Sequence, residues 1–139
     1  MTATISRPKI SNWETSNIPN LKGKTALITG ANSGLGYYTA KALAEKNAHV
    51  VIACRSLEKA NQTIKKLKGL NPKGIFTPLE LDLSNLKNIV EVQSKIFDDF
   101  ENLDLLINNA GIMHPPKTLS AQGYEIQFAV NHLAHMLLT

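Results

Sequence analysis

The sequence has little of what several classes of protein require. Its 139 residues include one cysteine, Cys54, so an internal disulfide is impossible and a disulfide-stabilised fold is excluded. No apolar run approaches the roughly 20 residues that a membrane-spanning helix needs. No apolar secretion segment follows Arg7 and Lys9 near the start of the chain. These absences predict a protein of a reducing compartment, located in the cytoplasm.

Charge and aromatic content argue against a nucleic-acid partner. The net charge is +4, and four lysines cluster around the end of one predicted helix: Lys65, Lys66, Lys68 and Lys73. Cations near a helix C-terminus interact favourably with the helix dipole. A surface for single strands would also need aromatic side chains on which bases stack, and none interleaves with these lysines. We interpret the cluster as a solvated helix end.

A glycine-rich run is the most informative part of the chain. It follows the apolar stretch 25–28, opens a segment with helical spacing, and reads Thr29-Gly30-Ala31-Asn32-Ser33-Gly34-Leu35-Gly36. Glycines allow positive φ and close approach of the backbone to a ligand, while the free N–H groups and dipole of a helix start favour an anion. The run therefore predicts a phosphate-binding turn made by Gly30, Asn32, Ser33, Gly34, Leu35 and Gly36.

The spacing of the glycines decides between two kinds of nucleotide site. A P-loop needs Gly, four residues and then Gly-Lys-Ser/Thr, but Leu35 stands where the second glycine belongs and Gly36 where the lysine belongs. The pattern TGxxxGxG does not match the Rossmann fingerprint GxGxxG either. It keeps the same logic of a tight turn, close pyrophosphate approach and close helix packing. A dinucleotide site is therefore the better interpretation.

Short β-rich runs alternate with amphipathic stretches after an N-terminal arm of residues 1–20. The predicted strands are 25–29, 49–53, 74–79 and 103–107, with helices at 35–46, 57–70, 86–100 and from about Ser120 to the chain end. Right-handed crossovers place the strands in the order 3-2-1-4, with helices on both faces. Residues 21–139 are thus predicted to form an α/β, Rossmann-type domain with a doubly wound parallel sheet, incomplete at its C-terminus.

A second turn follows the fourth predicted strand, at Asn108-Asn109-Ala110-Gly111. In an open α/β sheet, ligands bind outside the carboxyl ends of the strands, where the strand order reverses. The first and fourth strands are neighbours in the predicted order, so the turns at Gly30 and Gly111 should line the same crevice. The two turns together are a more specific signal than either turn alone.

Four motifs occur in the order Thr29-Gly30-x-x-x-Gly34-x-Gly36, Asp82-Leu83, Asn108-Asn109-Ala110-Gly111, and Asn131 within 128–135. They resemble the motifs of the short-chain dehydrogenase/reductase family. Within the family, their residues are most similar to those of the retinol dehydrogenase and protochlorophyllide reductase members. The resemblance implies that the glycine turn holds the pyrophosphate and that Asp82, with Leu83, lies beside the adenine. It further implies that Asn109, Ala110 and Gly111 line the adenosine side, and that Asn131 supports a catalytic proton relay.

The end of the second predicted strand bears on which dinucleotide is bound. NAD sites place an acidic residue there to bond the ribose 2′-hydroxyl, whereas this chain has Ile52-Ala53-Cys54-Arg55. The Arg55 guanidinium can make a bidentate contact with a 2′-phosphate, and no carboxylate opposes it. NADP(H) is therefore predicted over NAD(H). The alternative is a solvated arginine that opens the next loop.

The family mechanism also uses residues that this sequence does not supply. The resemblance implies a tyrosine four residues before a lysine, plus a serine on a preceding strand, and none of these lies downstream of Asn131. The letters Tyr37-x-x-x-Lys41 occur in the first helix, where they predict a surface i,i+4 pair. The chain stops inside an apolar helical pattern. We expect a fragment or truncated product that is inactive alone and exposes an apolar helix face.

Other candidate residues favour structural roles. His132 and His135 are three residues apart, but no third ligand at metal spacing accompanies them, so no metal site is predicted. Cys54 ends a buried strand, where a cysteine usually behaves as a small hydrophobe.

The predicted function is an NADP(H)-dependent oxidoreductase that reduces a carbonyl or oxidises an alcohol, with this chain as its cofactor-binding half. The resemblance implies a small-molecule substrate that is bulky and apolar, and a complete enzyme that is a homo-oligomer. Two alternatives stay open: a non-catalytic protein that binds NADP(H), and a truncated product without function.

Overall fold

In the computed structural model, which describes residues 12–71 and 73–139, strands and helices alternate along the chain. The strands are β1 (Thr25–Thr29), β2 (His49–Cys54), β3 (Ile75–Glu80) and β4 (Leu105–Ile107), and between them lie α1 (Gly34–Glu45), α2 (Leu57–Leu70) and α3 (Leu86–Asp99). The paired strands are parallel, and the sheet order is β3-β2-β1-β4. The predicted α/β, doubly wound architecture and the 3-2-1-4 strand order are confirmed.

Two apolar layers cover the two faces of the sheet. Side chains alternate across a strand, so Ile28 and Ile52, which are register partners, face α1 and α2. Leu27 and Val51 face the other way, toward α3 and the last helices of the chain. Because both faces of β1 and β2 are covered, their residues are almost all buried.

The last helix begins later than predicted. It consists of α4 (Ile126–Phe128), a π-helical turn (Ala129–Leu133) and α5 (Ala134–Leu138). The prediction of a helix from Ser120 is wrong because the Ser120 N–H donates to the Tyr124 carbonyl at 2.8 Å and closes a turn instead. The Glu125 carboxylate then accepts from the N–H groups of Gln127 and Phe128, at 2.9 and 2.7 Å, and caps the helix.

The described part of the N-terminal arm packs on the domain. Residues Thr15–Asn17 form a 3-10 turn, and Ile18 packs against the layer of α1 and α2, as does Leu21 directly after the arm. Lys46 Nζ donates to the Ser16 carbonyl at 3.0 Å, which ties the arm to the end of α1. The first 11 residues of the arm lie outside the described residues. No helix in the described ranges is long and apolar enough to cross a membrane.

Candidate functional site

An open cavity of about 290 Å³ lies at the carboxyl ends of the strands. Its walls come from the turns after β1 and β4, the residues that follow β2 and β3, and the last helix. Seven of the predicted site residues line it: Gly30, Asn32, Arg55, Asp82, Leu83, Ala110 and Gly111. Six others do not: Ser33, Gly34, Leu35, Gly36, Asn109 and Asn131. The structure thus brings the turns at Gly30 and Gly111 into one crevice.

Close approach explains why two positions of the first turn are glycine. Gly30 has φ +66°, and a Cβ there would lie 2.9 Å from the Ala110 Cα. At Gly36 a Cβ would lie 2.5 Å from the Asn109 Nδ2 and 2.6 Å from the Gly30 carbonyl oxygen. Real side chains do not tolerate these distances, so both positions require glycine. Gly36 packs α1 against the turn and does not face the cavity.

The start of α1 is open to an anion. Ser33 precedes the helix in an extended conformation, and its side chain caps no N–H group. The first turn carries no acidic residue, and Leu35 within it is 81% exposed. Uncapped N–H groups at the positive end of the helix dipole favour a phosphate. The first turn of α1 can therefore bind a phosphate through its backbone N–H groups. Of the predicted site residues that precede this helix in the glycine-rich run, Gly30 and Asn32 line the cavity itself.

The turn after β4 is held against the end of β1. Asn109 Nδ2 donates to the Thr29 carbonyl at 2.8 Å. The backbone N–H groups of Asn109 and Ala110 donate to Thr29 Oγ1 at 3.0 and 2.9 Å. Because Thr29 is fully buried, these bonds satisfy polar groups that water cannot reach. The Asn109 side chain supports the turn, and its contact with a cofactor stays a prediction.

Cationic and polar side chains gather where β2 ends. Arg55, Ser56 and Lys59 all line the cavity, and Arg55 and Lys59 are exposed. Ser56 Oγ accepts from the Lys59 N–H at 3.4 Å and caps α2, which brings Lys59 to the same wall as Arg55. The sequence motifs did not single out Ser56 and Lys59. A serine directly before an amphipathic helix is a cap signal that could have placed Lys59 in the first turn.

Cys54 lies beside these cations without being activated by them. Its Sγ donates to the Ser56 carbonyl at 3.3 Å. Burial raises the pKa of the thiol, and this effect outweighs the lowering by the hydrogen bond and by Lys59. A protonated thiol is a poor nucleophile, so the side chain serves as a small buried residue in the wall.

Asp82 and Leu83 form the wall that follows β3. Asp82 Oδ1 accepts from the N–H of Ser84 at 3.0 Å and from its Oγ at 2.6 Å. The Asp82 N–H donates to Asn88 Oδ1 at 2.9 Å. Leu83 is buried in the layer of α3 and touches the cavity from that side. These bonds fix the position of the carboxylate before any ligand arrives.

Asn131 lies in the π-helical turn, exposed and outside the cavity lining. Its Oδ1 accepts from the Ile112 N–H and its Nδ2 donates to the Ile112 carbonyl, each at 2.8 Å. Both polar atoms of the carboxamide thus clamp Ile112, which lines the cavity. The catalytic role of Asn131 stays a prediction. Its position depends on a π-helical turn for which the sequence carries no periodic signal.

The Tyr-x-x-x-Lys letters in α1 lie outside the cavity. Tyr37 is half-buried against the layer of α1 and α2, and its ring meets Tyr38 edge-on at 5.5 Å. Lys41 lies 3.7 Å from the Glu45 carboxylate. The predicted surface pair of Tyr37 with Lys41 is corrected, since Tyr37 packs inward and Lys41 pairs with Glu45.

The two neighbouring histidines occupy different environments. His132 is exposed and stacks on Phe128 with 5.3 Å between ring centres. His135 is buried, and its Nε2 lies 3.0 Å from Thr29 Oγ1. No group of three His, Cys, Asp or Glu residues that could hold a metal ion occurs in ranges 12–71 and 73–139.

Fold and cavity together define a dinucleotide-binding α/β domain, because two glycine turns meet at the carboxyl ends of parallel strands. Residues 24–139 match the model of the short chain dehydrogenases, and the chain belongs to that family of oxidoreductases. Human Retinol dehydrogenase 13 is 43% identical over 119 residues, which cover 86% of this chain and 36% of that protein. The chain therefore spans about a third of that relative's length.

Solved structures of similar proteins share the fold. An uncharacterised protein from Mycobacterium paratuberculosis superposes with a TM-score of 0.81 at 37% identity, covering 93% of this chain and 45% of that one. A metagenomic short-chain oxidoreductase, solved in complex with NADP, gives 0.73 at 28% identity and covers 86% of this chain and 54% of that one. Both similarities extend over about half of the solved chains.

Proposed function

We propose that this chain supplies the cofactor site of an NADP(H)-dependent oxidoreductase that interconverts a carbonyl and an alcohol. The family and the cavity support a nicotinamide dinucleotide, and the wall at the end of β2 supports its phosphorylated form. When bound, this cofactor supplies or accepts a hydride. The chain's own residues hold its adenosine end and its pyrophosphate in a fixed orientation.

The fit rests on backbone space and donors. A side chain at Gly30 would fill the crevice between the two turns, so glycine there leaves the backbone open to a pyrophosphate at the start of α1. Asp82 and Leu83 then face the adenine, and Ala110 and Gly111 face the adenosine side. In this arrangement Asn131 acts through Ile112, whose backbone it clamps.

The cationic wall carries the preference for NADP(H). Arg55 and Lys59 place two positive charges on one wall of the cavity, with Ser56 between them. Residues 54–57 include no carboxylate that could bond a ribose 2′-hydroxyl or repel a 2′-phosphate. A guanidinium and an ammonium side by side are suited to a dianionic phosphate.

Binding of NADPH and NADH to the intact protein tests the preference. We expect NADPH to bind more tightly, and Arg55→Glu to weaken NADPH by about 10- to 100-fold, the loss typical of a hydrogen bond to a charged group. NADH affinity should stay level or rise. Lys66→Glu is the matched control, because Lys66 is an exposed cation of α2 outside the cavity. Equal effects of the two substitutions on NADPH would contradict the proposal.

A bulky, apolar carbonyl or alcohol is the proposed substrate. The support is the similarity to Retinol dehydrogenase 13 and the apolar side chains of Ile112, Ile126 and Val130 on the cavity wall near the last helix. A full-length enzyme that contains this chain together with the family's catalytic residues should oxidise NADPH in the presence of retinal faster than with a small polar aldehyde. The reverse order would contradict this substrate class. Location in the cytoplasm and assembly into a homo-oligomer stay predictions of the same kind.

A further inference from the structure

A buried histidine links the end of β1 to the π-helical turn, and residues of both elements support the cavity. His135, in α5, is 7% exposed. Its Nε2 lies 3.0 Å from Thr29 Oγ1, and its Nδ1 lies 3.3 Å from the Asn131 carbonyl oxygen. Thr29 is the last residue of β1 and directly precedes Gly30, whereas Asn131 belongs to the π-helical turn. One ring thus contacts both the strand end and the helix.

The hydrogen bonds of Thr29 bear on which ring nitrogen carries the proton. Oγ1 accepts from the Ala110 N–H at 2.9 Å, and it shares the Asn109 N–H, at 3.0 Å, with the Ile107 carbonyl oxygen, at 2.9 Å. The hydroxyl has one hydrogen of its own to donate. His135 Nε2 lies 3.0 Å from Oγ1, whereas the Ile107 oxygen lies 3.4 Å away and already accepts from Asn109, so Nε2 is the better acceptor for that hydrogen.

The other nitrogen follows from this assignment. With Nε2 accepting, a neutral ring carries its hydrogen on Nδ1. That N–H faces the Asn131 carbonyl, which can only accept. Both nitrogens are then satisfied in a buried setting, where an unpaired group would cost free energy.

The contacts close a ring of residues around one wall of the cavity. From Thr29 the bonds run to His135, then to Asn131, whose side chain clamps Ile112. From Ile112 the backbone leads through Gly111 to Ala110, whose N–H donates to Thr29 Oγ1 and closes the ring. Movement of His135 would shift the clamp relative to the glycine turn.

We propose that His135 is a positioning residue: as the neutral Nδ1–H tautomer it links the Thr29 hydroxyl to the Asn131 carbonyl, and so fixes the Asn131–Ile112 clamp against the glycine turn. The effect on cofactor binding rests on the proposed function, whereas the tautomer does not.

The tautomer is measured on the intact protein without cofactor. In protein labelled with ¹⁵N-histidine, the ring proton of His135 should correlate with Nδ1, and Thr29→Ser should preserve that correlation. Thr29→Val removes the hydroxyl donor and should abolish the preference. A ring proton on Nε2 in the unchanged protein would overturn the proposal, whatever the protein does with NADPH.

Rescue by a conservative variant separates positioning from general packing. Glutamine carries an amide oxygen at about the reach of Nε2, so His135→Gln can still accept from Thr29, whereas His135→Leu cannot. We expect His135→Leu to weaken NADPH by about tenfold, equivalent to one lost hydrogen bond, and His135→Gln to recover most of that loss. Equal losses in the two variants would overturn the positioning role.

His132 offers the matched control. His132→Leu and His132→Gln change an exposed residue in the π-helical turn that directly precedes α5, and both should leave NADPH affinity unchanged. If these variants weaken NADPH as His135→Leu does, the effect belongs to the helix and the proposal fails. Absence of NADPH binding in the unchanged protein would instead refute the proposed function and leave the tautomer to be judged by its own measurement.

Discussion

The two edges of the sheet, at the amino and at the carboxyl ends of the strands, differ in whether their polar groups have partners within the protein. At the amino ends of the strands, Asp104 accepts from Lys24 Nζ and from the Thr25 N–H, each at 2.8 Å. At the carboxyl ends, the start of α1 is uncapped, and Arg55 and Lys59 make no ion pair with any residue in 12–71 and 73–139. Groups that satisfy each other stabilise the fold, while groups left open can bind a ligand. Substitutions of groups that satisfy each other should therefore change stability, and those at the cations and the helix start left open at the carboxyl edge should change binding.

Gly30→Ala is expected to have the largest effect, because Gly30 contributes both to the stability of the fold and to the binding of the cofactor. Positive φ strains any L side chain, and the added Cβ would lie 2.9 Å from the Ala110 Cα. Strain and overpacking together should lower the free energy of unfolding by about 2–4 kcal/mol and abolish NADPH binding. Urea unfolding measures the loss.

Gly23 is the control for Gly30, since it also has positive φ, +78°, but no atom lies within 4 Å of the place that a Cβ would occupy there. Gly23→Ala should show strain alone, about 1 kcal/mol. Losses of the same size at the two positions would mean that contact with Ala110 is unimportant.

Asn109→Asp tests whether Asn109 belongs to the supporting structure. Its Nδ2 faces the carbonyl oxygens of Thr29 and Gly30 at 2.8 and 3.4 Å. An aspartate of the same shape would bring an acceptor to these acceptors, at a cost of about 2 kcal/mol in the free energy of unfolding. Asn108→Asp, at an exposed neighbouring position, should cost much less. A similar cost for both variants would contradict the supporting role of Asn109.

The architecture could be predicted from the sequence because local patterns specify it. Contacts between residues that are distant in sequence could not be predicted. Glycine spacing and strand periodicity are local signals, so the strand order and the turns at Gly30 and Gly111 followed from them. The helix start at Ile126 depends on a backbone bond from Ser120 to Tyr124 that competes with helical periodicity. The contact of His135 with Thr29 joins residues 106 positions apart. No period or motif encodes such a pair, and only the folded chain brings it together.

Asp104→Asn should give the smallest effect of these substitutions. It tests whether the amino edge contributes to stability alone and not to cofactor binding. Hydrogen bonds from Lys24 and from the Thr25 N–H hold the pKa of Asp104 below its usual range. A lowered pKa in the folded state means that the carboxylate stabilises the fold fully above the pKa of an unfolded Asp, about 3.9, and that this contribution is lost as the pH falls through the lowered value. At neutral pH the variant should therefore lose at most about 4 °C in Tm, with NADPH affinity unchanged, because exposed ion pairs contribute little. The difference in Tm should shrink in acid. Asp98→Asn, on exposed α3 surface, is the control for removal of one surface carboxylate at neutral pH. A Tm difference that persists below the lowered pKa would show that Asp104 acts by packing and not by charge, since protonation would then leave its contribution intact.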